Sequence, residues 1–120
     1  MIENEKLMET KWTHSEAVDF CTRIEAVCPE FGCHVALTGG NLYKTGPRKD
    51  CDVVFYRIRQ VPKIDREGLF AALFEKLNVL TTTSQDDWCF VVKGIYEGRS
   101  VDFMFPESSQ GGYYPRSRNE

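Results

Sequence analysis

Three aspartates sit inside otherwise apolar runs. Asp50 and Asp52 open the stretch Asp50-Cys51-Asp52-Val53-Val54-Phe55, and Asp102 interrupts Val101-Asp102-Phe103-Met104-Phe105. A carboxylate on a hydrophobic strand is costly unless its charge is compensated. Asp50 and Asp52 are two residues apart, so a regular strand points both side chains to one face. Such a pair is a compact oxygen platform for a divalent cation, and magnesium prefers hard oxygen donors in near-octahedral geometry. A third carboxylate from a neighbouring strand, Asp102, completes a two-metal centre. A centre of that kind activates a hydroxyl and stabilises charge in a phosphoryl-transfer transition state. Asp102 is also placed to take the acceptor's proton. The competing reading of each residue is structural: Asp50 capping a loop, Asp52 paired with Lys49 or Arg57, and Asp102 paired with Arg99.

Upstream, a short apolar run ends in Thr38-Gly39-Gly40. Glycines here permit positive φ and let phosphate oxygens approach backbone N–H groups. Asn41 or Thr38 offers a side-chain contact as well. Lys44, Arg48 and Lys49 fall between the glycines and the first aspartate, where they can offset triphosphate charge. The expected nucleotide-binding set is therefore Gly39, Gly40, Asn41, Lys44, Arg48 and Lys49. The expected metal-binding and catalytic set is Asp50, Asp52 and Asp102. No Gly-Lys-Ser/Thr follows the glycines, so this is not a Walker P-loop. Tyr43 is the stacking candidate in the loop, whereas Trp88 reads as sheet packing.

The elements that must position these groups are legible in outline. Thr13 and Glu16 form a capping-box pattern that begins a helix from about His14 to Cys28, with Val18, Cys21, Ile24, Ala26 and Val27 at helical spacing. Cys33 to Leu37 reads as a first strand and Asp50 to Ile58 as a second. Asp65 caps a second helix running to about Asn78, with Leu69, Phe70, Leu73, Phe74 and Leu77 as its stripe. Val79 to Thr83, Trp88 to Lys93 and Ser100 to Phe105 are the remaining strands, with a turn at Ser84 to Asp87 and a hairpin region at Gly94 to Gly98. The order predicts an α/β, two-layer domain with helices packed on one mixed sheet. For the carboxylates to meet, the last strand must lie beside the second with Asp102 level with Asp52.

A length of 120 residues suits one domain, expected over 1–106, with a flexible tail over 107–120 that docks through Tyr113 and Tyr114 at most. The net charge of −3 neither argues for nor excludes nucleic acid. No run of 18 apolar residues is present, so no membrane span is expected. The five cysteines are odd in number and mostly in apolar runs, which reads as reduced thiols in a cytoplasmic protein. Cys28, Cys33 and His34 fit no standard zinc spacing. His14 and His34 read as structural.

The combination Leu37-Thr38-Gly39-Gly40, Lys49-Asp50-Cys51-Asp52-Val53-Val54 and Val101-Asp102-Phe103 resembles the nucleotidyltransferase superfamily, the polymerase-beta-like fold. The Gly-Gly form, with Arg48 before the first aspartate, is most similar to its minimal single-domain and toxin-type branches. The resemblance spans roughly Cys33 to Phe105. It implies magnesium-dependent transfer of a nucleoside monophosphate from a nucleoside triphosphate such as ATP to a hydroxyl acceptor, an RNA end, a protein side chain or a small molecule. Gly39 and Gly40 would contact phosphates, Asp50 and Asp52 would ligate metal, and Asp102 would ligate metal and assist deprotonation. Gly40 replaces the commoner serine, and Cys51 replaces an aliphatic residue. Many relatives carry a second, helical domain, for which this chain has no room; a homo-oligomer or a protein partner would then complete the cleft. The alternative is an inactive relative that binds a nucleotide, RNA or protein, as a phage or mobile-element effector would.

Overall fold

A capping box opens the first helix, α1 (His14–Val27): the Glu16 N–H donates to Thr13 Oγ1 at 3.1 Å, and the Thr13 N–H donates to Glu16 Oε1 at 3.0 Å. Thr13→Ala should lower unfolding free energy by about 1 kcal/mol, read from urea denaturation midpoints. The computed structural model describes residues 11–40, 46–86 and 89–107. After α1 come a 3₁₀ turn (Cys28–Phe31), β1 (Cys33–Thr38), β2 (Asp50–Arg57), α2 (Arg66–Leu77), β3 (Leu80–Asp86), β4 (Phe90–Tyr96) and β5 (Arg99–Phe105). Asp65 caps α2 by accepting from the Gly68 N–H at 3.0 Å, and Asn78 ends it in the left-handed region at φ 59°.

The five strands form one mixed sheet in the order β1-β2-β5-β4-β3. β2 and β5 are parallel, and the other pairs are antiparallel. Alternation along the strands assigns the faces. Cys51, Val53 and Phe55 of β2 and Val101, Phe103 and Phe105 of β5 are fully or almost fully buried and join α1 and α2 in one core. Phe55 stacks on Phe105 at 4.8 Å between ring centroids, and Phe70 meets Phe103 edge-on at 5.2 Å. The alternate residues Asp52, Val54, Tyr56, Asp102 and Met104 lie on the other face. The α/β, two-layer expectation holds.

Several local expectations give way. On α1 the buried set is Ala17, Phe20, Ile24 and Val27, while Val18 is 43% exposed because it lies about 100° around the helix from Ala17. On α2, Leu69, Ala72 and Leu73 are buried and Phe74 points outward. β3 continues through Ser84 and Gln85, where a turn was expected. It is an exposed edge strand, held by backbone pairing to β4 rather than by apolar alternation, so no hydrophobic pattern marks its extent. β4 runs on through Gly94 to Tyr96, and the hairpin turn is confined to Glu97 and Gly98. Gly94 is there for packing: a Cβ would lie 2.7 Å from the Leu80 carbonyl oxygen and 2.8 Å from the Phe103 ring.

Trp12 lies just ahead of α1 and is fully buried. Its ring lies 5.1 Å from Phe20 and 6.2 Å from Tyr96. Its Nε1–H donates to the Ser100 carbonyl at 2.7 Å. Its backbone pairs with Arg48 through two 2.7 Å hydrogen bonds. The chain just before Asp50 is thereby clasped to the chain just before α1.

Candidate active site

Register brings the second and third aspartates together. Because β2 and β5 run parallel, Asp50 lies opposite Ser100 and Asp52 opposite Asp102. Adjacent strands are about 4.8 Å apart, so Asp52 and Asp102 extend side by side from the same face. They are close enough to share a hydrogen bond. On the other flank, Thr38 of β1 lies opposite Asp52, so Gly39 follows directly over the Asp52 side chain.

That proximity explains the first glycine. Gly39 has φ +72°, and a Cβ there would run into the Asp52 carboxylate, meeting Cγ at 3.0 Å. Gly40 answers to a different neighbour: a Cβ would lie 2.6 Å from Arg48 Nε. The Arg48 side chain fills the space that a side chain at position 40 would need. Gly40, Arg48, Lys49, Asp50 and Asp52 line a cleft of about 120 Å³. Asn41, Lys44 and the stacking candidate Tyr43 lie outside the described residues, as do Trp88 and the tail beyond Glu107.

The charge balance is uneven. Asp52 is pushed up to about 6, first by burial and then by the charges of Asp102 and Asp50, while Lys93 opposes the shift. Asp102 Oδ1 accepts from Lys93 Nζ at 3.1 Å. Lys93 stands on β4 directly opposite Asp102, a cross-strand neighbour that no local motif discloses. The structural pairing expected for Asp102, with Arg99, does not form. Arg99 instead meets Glu16 at 2.8 Å and Glu97 at 2.7 Å, with its guanidinium 4.3 Å over Trp12. Alternation sends Arg99 and Asp102 to opposite faces of β5, since three residues separate them. Arg57 donates from Nη1 to the Val61 carbonyl at 2.6 Å, at the far end of β2 from Asp52.

The donor set is all oxygen, which suits magnesium, and a cation would relieve the repulsion that raises Asp52. Among the described residues, no three of His, Cys, Asp and Glu are already drawn into one metal-sized cluster. Asp52 and Asp102 are brought together; Asp50 is on their face, one step along β2, at the exposed mouth of the cleft. The cysteines hold no part of this site. Cys28 and Cys33 are buried in the core, and His34 Nδ1 is tied to Glu25 Oε2 at 2.6 Å. Among the described residues, no helix is long and apolar enough to cross a membrane.

No family model matches the chain, and no curated protein matches its sequence. Solved structures do match. The chain is similar to polymerase beta of Leishmania infantum, seen as a ternary P/T complex, with a TM-score of 0.55 and 16% identity over 79% of this chain and 43% of that one. It is similar also to the non-canonical poly(A) polymerase complex GLD-2–GLD-3, with a TM-score of 0.59 and 11% identity over 87% of this chain and 38% of that one. The chain thus spans less than half the length of either solved chain. At these identities the likeness establishes the fold alone, one that the chain shares with a polymerase beta and a non-canonical poly(A) polymerase.

Proposed function

We propose that this polymerase-beta-like domain transfers a nucleoside monophosphate from a nucleoside triphosphate to a hydroxyl acceptor and releases pyrophosphate. The observation that carries the reading is the level placement of Asp52 and Asp102 on parallel strands, directly beneath Gly39 and beside a cleft with two basic residues. Asp50 and Asp52 are the residues proposed to hold magnesium, with Asp102 beside them. When bound, magnesium would supply charge for the phosphoryl oxygens and acidity for the acceptor hydroxyl.

The chain's own groups account for the rest. Gly39 and Gly40 are the residues proposed to meet triphosphate oxygens through their backbone N–H groups. Arg48 and Lys49 supply positive charge along the cleft. Asp102 receives the proton as the acceptor oxygen attacks the α-phosphorus. The bond from that phosphorus to the bridging oxygen breaks, and pyrophosphate departs. The proposed acceptor is an RNA end, a protein side chain or a small molecule, and the proposed partner is a second copy of the chain or another protein.

Arg48→Ala tests the cleft without disturbing its frame, because Trp12 holds Arg48 through the backbone. Loss of one charge-assisted contact should weaken triphosphate binding roughly tenfold or more, seen as a raised KM with kcat little changed. The reaction itself is tested with α-labelled triphosphates, magnesium, and pooled RNA or protein acceptors. Label should enter an acceptor with pyrophosphate release. Saturable triphosphate binding with no transfer to any acceptor would favour a binding protein on the same fold.

A further inference from the structure

We propose that the Lys93 ammonium takes the place of one of the two divalent cations, so that the centre binds a single metal ion at Asp50 and Asp52 with Lys93 as a built-in second cation. The inference rests on the reading of the aspartates as a metal centre. It starts from the ion pair itself: Lys93 Nζ is 3.1 Å from Asp102 Oδ1, where a cation shared by Asp52 and Asp102 would otherwise sit. A divalent ion on Asp102 would have to displace that ammonium or tolerate a like charge within a few ångströms.

The strand geometry holds Lys93 there. Val92 is buried in the core and Asp102 lies opposite Lys93 in register, so alternation sends the lysine to the face of the aspartates. On the other side, the pairing of β3 with β4 slips between Thr81 and Thr83, opposite Lys93. The Thr82 hydroxyl left over by the slip donates to the Lys93 carbonyl at 3.2 Å. A bulge of this kind bends the strand that carries it, here β3. The side chain is 45% exposed and that of Asp102 22%, so the pair lies at the rim of the site rather than in the core. Lys93 acts through Asp102 and is a positioning residue in this scheme.

Manganese alone, titrated into the full chain and followed by the electron paramagnetic resonance of the free ion, decides the matter. The wild type should bind one ion per chain. Lys93→Gln should gain a second ion, or bind the first about tenfold more tightly. Lys93→Arg, which keeps the charge, should stay at one. Circular dichroism melts show whether each variant is folded, and the Arg variant keeps the test open should Gln disturb the strand. Two ions on the wild type would overturn the proposal, as would a Gln variant that binds one ion with unchanged affinity. Either result leaves the metal centre standing. No binding to wild type or variant would overturn the metal-centre reading, and this inference with it.

Discussion

Asp52→Asn is expected to abolish nucleotidyl transfer while making the fold more stable. Removal of a metal-holding carboxylate should cost several kcal/mol of transition-state stabilisation, a loss on the order of a thousandfold or more in turnover. Stability should move the other way because the native site holds Asp52 under strain of charge. Burial, Asp102 and Asp50 raise its pKa from the ordinary 3.8 to about 6. The folded chain therefore binds that proton more tightly than the unfolded chain does. Below 3.8 the carboxyl is protonated in both states and costs nothing; as pH rises towards 6 the unfolded chain ionises first and the native state loses ground; above 6 the deficit is constant. The full shift corresponds to about 3 kcal/mol, and solvent screening of a half-exposed group reduces it to about 1–2 kcal/mol. Urea unfolding in magnesium-free buffer should show wild type and variant nearly equal at about pH 4 and separated by that amount at pH 7. Magnesium should then raise the stability of the wild type by mass action and leave the variant unmoved. A variant less stable than wild type at pH 7 would mean that burial and the neighbouring carboxylates do not disfavour the Asp52 charge.

The parts of this site that the sequence discloses are those written in short-range periodicity. Asp50 and Asp52 share a face because strands alternate, and Asp102 is betrayed by the apolar residues on either side of it. The glycine pair announces an unusual backbone. What it does not announce is the reason for each glycine: Gly39 yields to Asp52 across a strand pair, and Gly40 yields to the Arg48 side chain. Lys93 is invisible for a similar reason. It sits in an ordinary strand, and only the β4–β5 register sets it against Asp102. Trp12 is hidden by its distance along the chain from Ser100, Arg48 and Arg99, the groups that bury it. β3 illustrates the opposite failure. Its composition, Leu-Thr-Thr-Thr-Ser-Gln-Asp, reads as a turn in its second half because an exposed edge strand needs no buried face. Partners fixed by register and by long loops lie beyond any local pattern, and at this site they decide the charge balance.

Gly39→Ala should be the most damaging single-atom change in the loop, costing about 2–5 kcal/mol of stability and at least roughly a hundredfold in triphosphate affinity. Two terms add. The left-handed φ of +72° costs a non-glycine residue about 1–2 kcal/mol. The new methyl group also overlaps the Asp52 carboxylate, and forced overpacking adds about 1–3 kcal/mol. Asp52 has little freedom to retreat, since Asp102 occupies the adjacent position in the sheet. Relief must come by lifting the loop or turning the carboxylate, and either movement spoils the cleft. Gly98→Ala separates the two terms. Gly98 has φ +78°, and a Cβ added there would meet nothing within 4 Å, so it should lose only the conformational cost and keep its triphosphate affinity. A double-mutant cycle then assigns the clash. In an Asp52→Ala background the methyl group has room, so the stability penalty of Gly39→Ala should shrink by about 1–3 kcal/mol. Strict additivity would show that the loop is shaped without reference to Asp52, and Gly39 and Asp52 would no longer belong to one constructed site.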